Sequence, residues 1–286
     1  ICINIVLAVS LNLITGFTGQ FSLGHAGFMA IGAYCAGLVT VAFPSLPGFL
    51  AGILLGGLLS ALIGFLIGLP TLRLRGDYLA IATLGMAEIV RIILVNLDFT
   101  NGAAGLAGIP QFMDWNWFFI LTVGSVLLIR NFLRSRHGRD AIAVREDEIA
   151  AESIGVDTTR AKVMSFTVGA FFGGVAGAMY ASYFYYIKPD GFGFLKSIDI
   201  LVIVVLGGLG SMSGSVIAAI LLALISMFLQ QFTASRMILY ALLLIVIMIF
   251  RPEGLMGSRE LSLKLFKRLS STRLRRSRTL EKEDAR

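Results

Sequence analysis

Apolar runs long enough to cross a bilayer recur along this chain, and they leave few folds open. "PGFLAGILLGGLLSALIGFLIGL" covers 47–69, and "VMSFTVGAFFGGVAGAMYASYFYY" covers 163–186. A hydrocarbon core about 30 Å thick is crossed by ~20 helical residues at ~1.5 Å each. Similar runs stand at about 1–16, 23–43, 77–97, 117–132, 212–231 and 236–250. The piece at 198–208 is too short to cross alone. Charged residues make up 14% of the chain, where a soluble domain carries about 25%. Mean hydropathy is +0.86. A transmembrane barrel would show short alternating strands instead. The expected fold is therefore all-α: a polytopic membrane bundle of about 8–9 helical segments, some of them interrupted.

Lysine and arginine set the expected orientation. Arg134, Arg136, Arg139, Arg145, Arg160 and Lys162 fall in the 133–162 loop; Arg73 and Arg75 fall in the 70–76 loop. Arg251 and a run of basic residues from Arg259 to Arg286 follow the last apolar span. Threading the spans puts these three regions on one face, expected to be cytoplasmic. Lys188, Lys196 and Arg236 are left for the other. The net charge of +7 then reads as topology and contact with anionic lipid, not nucleic acid. Residues 1–257 are expected to form the membrane domain and 258–286 a basic cytoplasmic tail. The chain opens on Ile1, which suggests an upstream helix or leader. Cys2 and Cys35 lie in apolar segments with no disulfide or metal spacing, so both read as small hydrophobes.

Small residues recur every four positions at Gly52, Gly56, Ser60, Gly64 and Gly68, and at Gly169, Gly173, Gly177 and Ala181. Such stripes let helix backbones approach closely. Static packing is the expectation; a sliding surface is the alternative.

One stretch resists the pattern. "GFTGQFSLGHAGF", Gly16 to Phe28, places polar residues and glycines where a helix would otherwise continue. It reads as a turn between helices, a break inside the bilayer, or a break through which a substrate passes. Gly16, Gly19 and Ser22 form G-x-x-G-x-x-S, and Gly207, Gly210 and Ser213 repeat it in the second half. Paired interruptions in two halves of a membrane chain point to a transport site. An interruption frees N–H and C=O groups, tolerable only beside a cavity or against protein. Half-helix N-termini near Ser22 or Ser213 would offer N–H groups to a carboxylate. The path residues expected here are Gly16, Gly19, Gln20, Ser22, His25, Gly207, Gly210 and Ser213. A glycine-rich reversal that only packs remains the plain alternative.

Glu88 and Arg91 stand three apart on one face of the 77–97 span, either as an ion pair fixing the bundle or as a charged lining. His25 reads as a buried hydrogen-bonded residue or as cavity lining. "TNGAAGLAGIP", 100–110, reads as an outer glycine-rich loop. In the 133–162 loop, "DAIAVREDEIAAESIG" has helical periodicity, with Ile142, Ile149 and Ile154 as its apolar positions and Gly155 as a stop. Short amphipathic helices of this kind usually meet a partner.

Five blocks carry a resemblance: "GFTGQFSLGHAGFMAIGAY", "LRGDYLAIATLGMAEIVRIIL", "TNGAAGLAGIP", "REDEIAAESIGVDTTRAK" and "VVLGGLGSMSGSVIAA". Together they resemble the permeases of branched-chain amino-acid ABC importers, and within them the LivM-type member, from about residue 10 to 257. The resemblance implies a pseudo-repeated permease bundle in a bacterial inner membrane that carries leucine, isoleucine and valine. It also implies a heterodimer with a second permease, two cytoplasmic ATPase subunits and a periplasmic substrate-binding protein. Glu146, Asp147, Glu148, Ala150, Ala151, Glu152 and Gly155 fall on the family's coupling segment, with the order A-A-E in place of E-A-A. No cofactor is expected in this chain. It lacks G-x-x-x-x-G-K-[ST], so ATP would be bound by the partner subunits. Urea and short-amide permeases are similar and stay open. A proton-coupled carrier using Glu88, Arg91 and His25 is the competing class. An intramembrane enzyme is disfavoured, because no acidic metal pair, H-E-x-x-H or G-x-S-x-G occurs.

Overall fold

The computed structural model describes residues 1–72, 74, 76–229, 245, 249 and 254–257. The expected last span and the basic tail lie almost wholly outside these residues.

The chain is an all-α polytopic membrane protein. Helix α1 (Cys2–Asn12) runs into a π-helical turn, Leu13–Phe17. After the interruption come α2 (His25–Ala42), α3 (Leu46–Thr71) and α4 (Asp77–Asn96). Then follow α5 (Trp115–Arg134), α6 (Arg136–Glu146), α7 (Glu148–Ser153) and α8 (Thr158–Phe184). The described helices close with α9 (Phe194–Gly207) and α10 (Met212–Leu229). By length and composition α2, α3, α4, α5 and α8 can cross a membrane. The 163–186 run begins earlier than expected, because Asp157 caps α8 by accepting from Arg160 N at 2.9 Å.

The 100–110 loop holds more structure than its glycines suggest. Strand β1 (Leu106–Ala107) pairs antiparallel with β2 (Tyr186–Ile187). This ribbon marks one end of the bundle, and α6 and α7, between α5 and α8, mark the other.

Helices α2, α3 and α8 form the centre. Each expected small-residue stripe packs on α2: Gly52 and Gly56 of α3 meet Ala36 and Gly32, and Gly173 and Gly177 of α8 meet Phe28 and Met29. A Cβ on Gly32 would collide with Gly174 of α8, and one on Gly177 with the Met29 carbonyl. Ser60 donates to the Phe28 carbonyl at 3.1 Å, so even the polar member of the stripe serves the contact. Helices α2 and α8 are 72% buried, whereas α4 and α5 are only 28% buried. Two peripheral helices thus keep most of their surface for lipid or for another chain. Cys2 and Cys35 are free and half-buried.

Substituting Leu for Gly32 or Gly177 should lower stability by at least ~2 kcal/mol, the upper range of overpacking costs. Gly124 has open space around it, so Gly124→Ala should be neutral or stabilising by up to ~1 kcal/mol. Thermal unfolding in detergent measures both.

Candidate functional site

The Gly16–Ser22 interruption is inset from the helix ends. Leu23 N donates to Thr83 Oγ1 at 3.1 Å, and Thr83 follows Asp77, the first residue of α4, by six positions. At ~1.5 Å per residue that is about 9 Å inside the bundle. The polar residues of the stretch are buried, and most of them satisfy backbone that the break sets free. Thr18 Oγ1 donates to Leu13 O at 2.9 Å, Gln20 N donates to Ile14 O at 3.1 Å, and Ser22 Oγ accepts from Gly24 N at 3.4 Å. Ala26 N donates to Ser197 Oγ of α9 at 3.2 Å. Several donors at the start of α2 are therefore taken by protein hydroxyls, where the sequence suggested them for a carboxylate. His25 is fully buried, hydrogen-bonded through Nε2 to Ser10 Oγ at 2.8 Å, with its ring edge-on to Phe28. Three residues here keep a polar atom unpartnered among the described residues, His25 Nδ1 being one. Thr15 Oγ1 and both side-chain polar atoms of Gln20 are buried without a hydrogen-bond partner among the described residues.

The second interruption follows α9. Gly208 and Gly210 take φ of +109° and +84°, and Gly19 takes +73°. The matched glycines of the repeat, Gly19 and Gly210, thus share the left-handed conformation that other residues resist. Gly16 and Gly207 each sit in the last turn of an apolar helix. Ser211 Oγ accepts from Gly214 N at 3.1 Å and caps α10, and the Ser213 hydroxyl lies 3.4 Å from it. Leu255 N donates to Leu206 O at 2.7 Å, which packs residues 254–257 against this break.

Asn12 joins the two interruptions. Its Oδ1 accepts from Gly210 N at 2.9 Å, and its Nδ2 donates to Ser211 O at 2.9 Å and to Ser215 Oγ at 2.7 Å. Asn12 is wholly buried. A Cβ on Gly16 would collide with Asn12 Oδ1 and Gly210 N. The two G-x-x-G-x-x-S segments are therefore in contact, although 191 residues separate their matched positions. Sequence reasoning did not place Asn12, Ser211 or Ser215 in the site. An asparagine one turn before Gly16, at the end of an apolar helix, was the available signal.

Glu88 and Arg91 form the expected pair and extend it. Arg91 Nε donates to Glu88 Oε2 at 2.7 Å and Nη1 to Asp190 Oδ1 at 3.1 Å. Asp190, which sequence reasoning missed, lies in a 3-10 turn, Pro189–Phe192. Phe192 anchors that turn against Tyr34 and Tyr180. The Arg91 and Glu88 side chains remain 29% and 33% exposed.

The 133–162 segment departs from one continuous helix. Asp147 takes an extended φ of −159° and its Oδ1 accepts from Ile149 N and Ala150 N at 2.9 and 3.0 Å. That cap starts a second helix, α7, and re-aims it. Glu148 pairs with Lys162, and Glu152 Oε1 accepts from Thr158 Oγ1 at 2.8 Å, so α7 is tied to α8. Ala151 is buried and Glu146 is exposed. Gly155, at φ +88°, ends α7 as expected. Ile142 packs against the core, while Ile149 and Ile154 are 75% and 78% exposed.

No solved structure matches the chain. The permease protein LivM of the high-affinity branched-chain amino acid transport system of Salmonella typhimurium is 38% identical, over 92% of this chain and 70% of that protein. LivM of Escherichia coli is similar to the same extent. LivH of the same system in Escherichia coli is 23% identical over 89% of this chain and 91% of its own length. The family described as branched-chain amino acid transport system / permease component matches residues 1–250, and the chain belongs to that family.

Proposed function

We propose that this chain is one of two permease subunits of an ATP-driven importer, and that leucine, isoleucine and valine cross the membrane beside its joined interruptions. The observation that carries this reading is the Asn12 junction: main-chain polarity from Gly16–Ser22 and Gly207–Ser213 gathered in one place within an apolar bundle. Main-chain N–H and C=O groups suit the ammonium and carboxylate that these amino acids share, and small residues around them tolerate differing side chains. Gln20 and Thr15, with polar atoms unpaired among the described residues, would stand beside that path.

The chain carries no reaction and holds no cofactor in this reading. Two separate ATPase subunits bind and hydrolyse ATP beneath α6 and α7. Support for that docking comes from Ile149 and Ile154, exposed on a capped helix with charges around them. The α6–α7 end and the basic tail face the cytoplasm of a bacterial inner membrane, as their arginines and lysines favour. A periplasmic binding protein delivers substrate at the β1–β2 end. A second permease covers α4. A charge at the bilayer centre costs at least ~2.5–3.5 kcal/mol, which favours a protein or aqueous neighbour over lipid for the half-exposed Glu88–Arg91 pair.

The test is reconstitution with the partner subunits in proteoliposomes. ATP-dependent uptake of labelled leucine, competed by isoleucine and valine but not by urea, is the expected result. Proton-driven uptake by this chain alone would overturn the reading. Asn12→Leu leaves Gly210 N–H without its buried acceptor, at ~1–3 kcal/mol, while Ser211 C=O keeps Ser215 N and Oγ. It should cut uptake while the chain still assembles. Val at Gly19 or Gly210 should cut uptake at least as far, because Val resists the left-handed backbone. Charged residues in place of Ile149 and Ile154 should abolish co-purification of the ATPase and leave the bundle's thermal stability unchanged.

A further inference from the structure

Arg145 looks in the sequence like one more basic residue of a cytoplasmic loop. Its position says more. It stands near the end of α6, and its Nη1 donates to the Gly16 carbonyl at 2.6 Å. Gly16 lies in the π-helical turn that ends the first apolar helix. The stem of the same side chain runs past the next glycine: a Cβ on Gly19 would lie 3.4 Å from Arg145 Cγ. Its guanidinium also abuts the second interruption, where a Cβ on Gly210 would collide with Nη1. The nearest acid, Glu146, is 4.0 Å from Nε and largely exposed, so it competes weakly. One side chain from the α6–α7 end thus touches Gly16, Gly19 and Gly210.

The glycines make this contact possible. Side chains at Gly16 and Gly210 would fill the space that brings the two interruptions and the guanidinium together. A planar, always-charged guanidinium suits a carbonyl at the end of a distorted turn, since it can bond that oxygen and still lie flat against backbone. A lysine ammonium is a point charge and would do the first without the second.

We propose that Arg145 is the positioning residue through which displacement of α6 and α7 reaches both interruptions. In the arrangement seen, its guanidinium holds the Gly16 carbonyl and occupies the space beside Gly210. Moving α6 away withdraws both contacts together, freeing the Gly16 carbonyl for the passing amino acid and opening the space beside Gly210. This inference rests on the proposed docking of ATPase subunits at α6–α7, and it adds the route by which their motion enters the bundle.

Two measurements test it and keep it apart from the transport reading. In the reconstituted complex, leucine imported per ATP hydrolysed should fall at least ~10-fold for Arg145→Met, the scale of losing one charge-assisted hydrogen bond. Arg145→Lys should recover part of that ratio. An unchanged ratio in Arg145→Met overturns the proposal. In the purified full chain without partners, amide exchange at Gln20 and Gly210 should rise ~10-fold in Arg145→Met. Protection along the α2–α8 seam should stay as in the unsubstituted chain. Unchanged exchange at both interruptions, or a rise spread over every helix, also overturns it: the first removes the contact, the second makes Arg145 a general support of the fold. Failure of the unsubstituted complex to import leucine would sink the transport reading, and the exchange measurement would still decide whether Arg145 joins the interruptions.

Discussion

Backbone that leaves a helix inside an apolar bundle has to find new partners, and this requirement organises the structure. Each unmade buried hydrogen bond costs about 1–3 kcal/mol, and apolar surroundings offer no water in exchange. Several polar residues between Ser10 and His25 answer that demand. Thr18 returns to Leu13 O, Ser22 takes Gly24 N, and Thr83 and Ser197 reach in from α4 and α9 to the start of α2. Asn12 serves the other interruption altogether, bonding Gly210 and Ser211. Each half of the chain therefore stabilises a break in the other, and neither interruption is independent of its neighbour.

The two faces of the bundle do different work. Along α2, α3 and α8, glycines bring backbones into contact that no larger residue would permit, and close packing leaves little freedom to slide. Static packing is what the contacts support for those stripes. Helices α4 and α5 pack less tightly and keep exposed isoleucines, leucines and a half-exposed ion cluster. A tightly packed centre and a more exposed flank suit the proposed pairing with a second permease.

Local patterns carried much of this fold into the sequence. The apolar runs located most of the helices, and the four-residue spacing of glycine located the seams. The repeat was legible because Gly19 and Gly210 meet a backbone need, positive φ, that side chains oppose. The split of the 133–162 segment at Asp147 was missed because helical periodicity continues across a cap that re-aims the chain. Asn12, Arg145 and Asp190 were missed for a different reason. Their roles depend on partners 198, 129 and 99 residues away in the chain, and spacing along one strand of sequence carries no record of such distances. The β1–β2 ribbon, two residues on each side, is too short to leave a pattern at all.

A junction made chiefly of main chain has a consequence for selectivity. Backbone N–H and C=O groups recognise what all α-amino acids share and say little about the side chain. Discrimination between one apolar side chain and the next is worth only ~1–3 kcal/mol per methylene even in a fitted pocket. The atoms nearest to a Cβ at Gly16 or Gly210 belong to backbone, Asn12 and Arg145. The proposed path beside them would be tolerant by construction. In the proposed function, selectivity then falls to the delivering partner, and directionality to the proposed displacement of α6. The proposed division of labour rests on a polar junction that one arginine of α6 joins to the α6–α7 end.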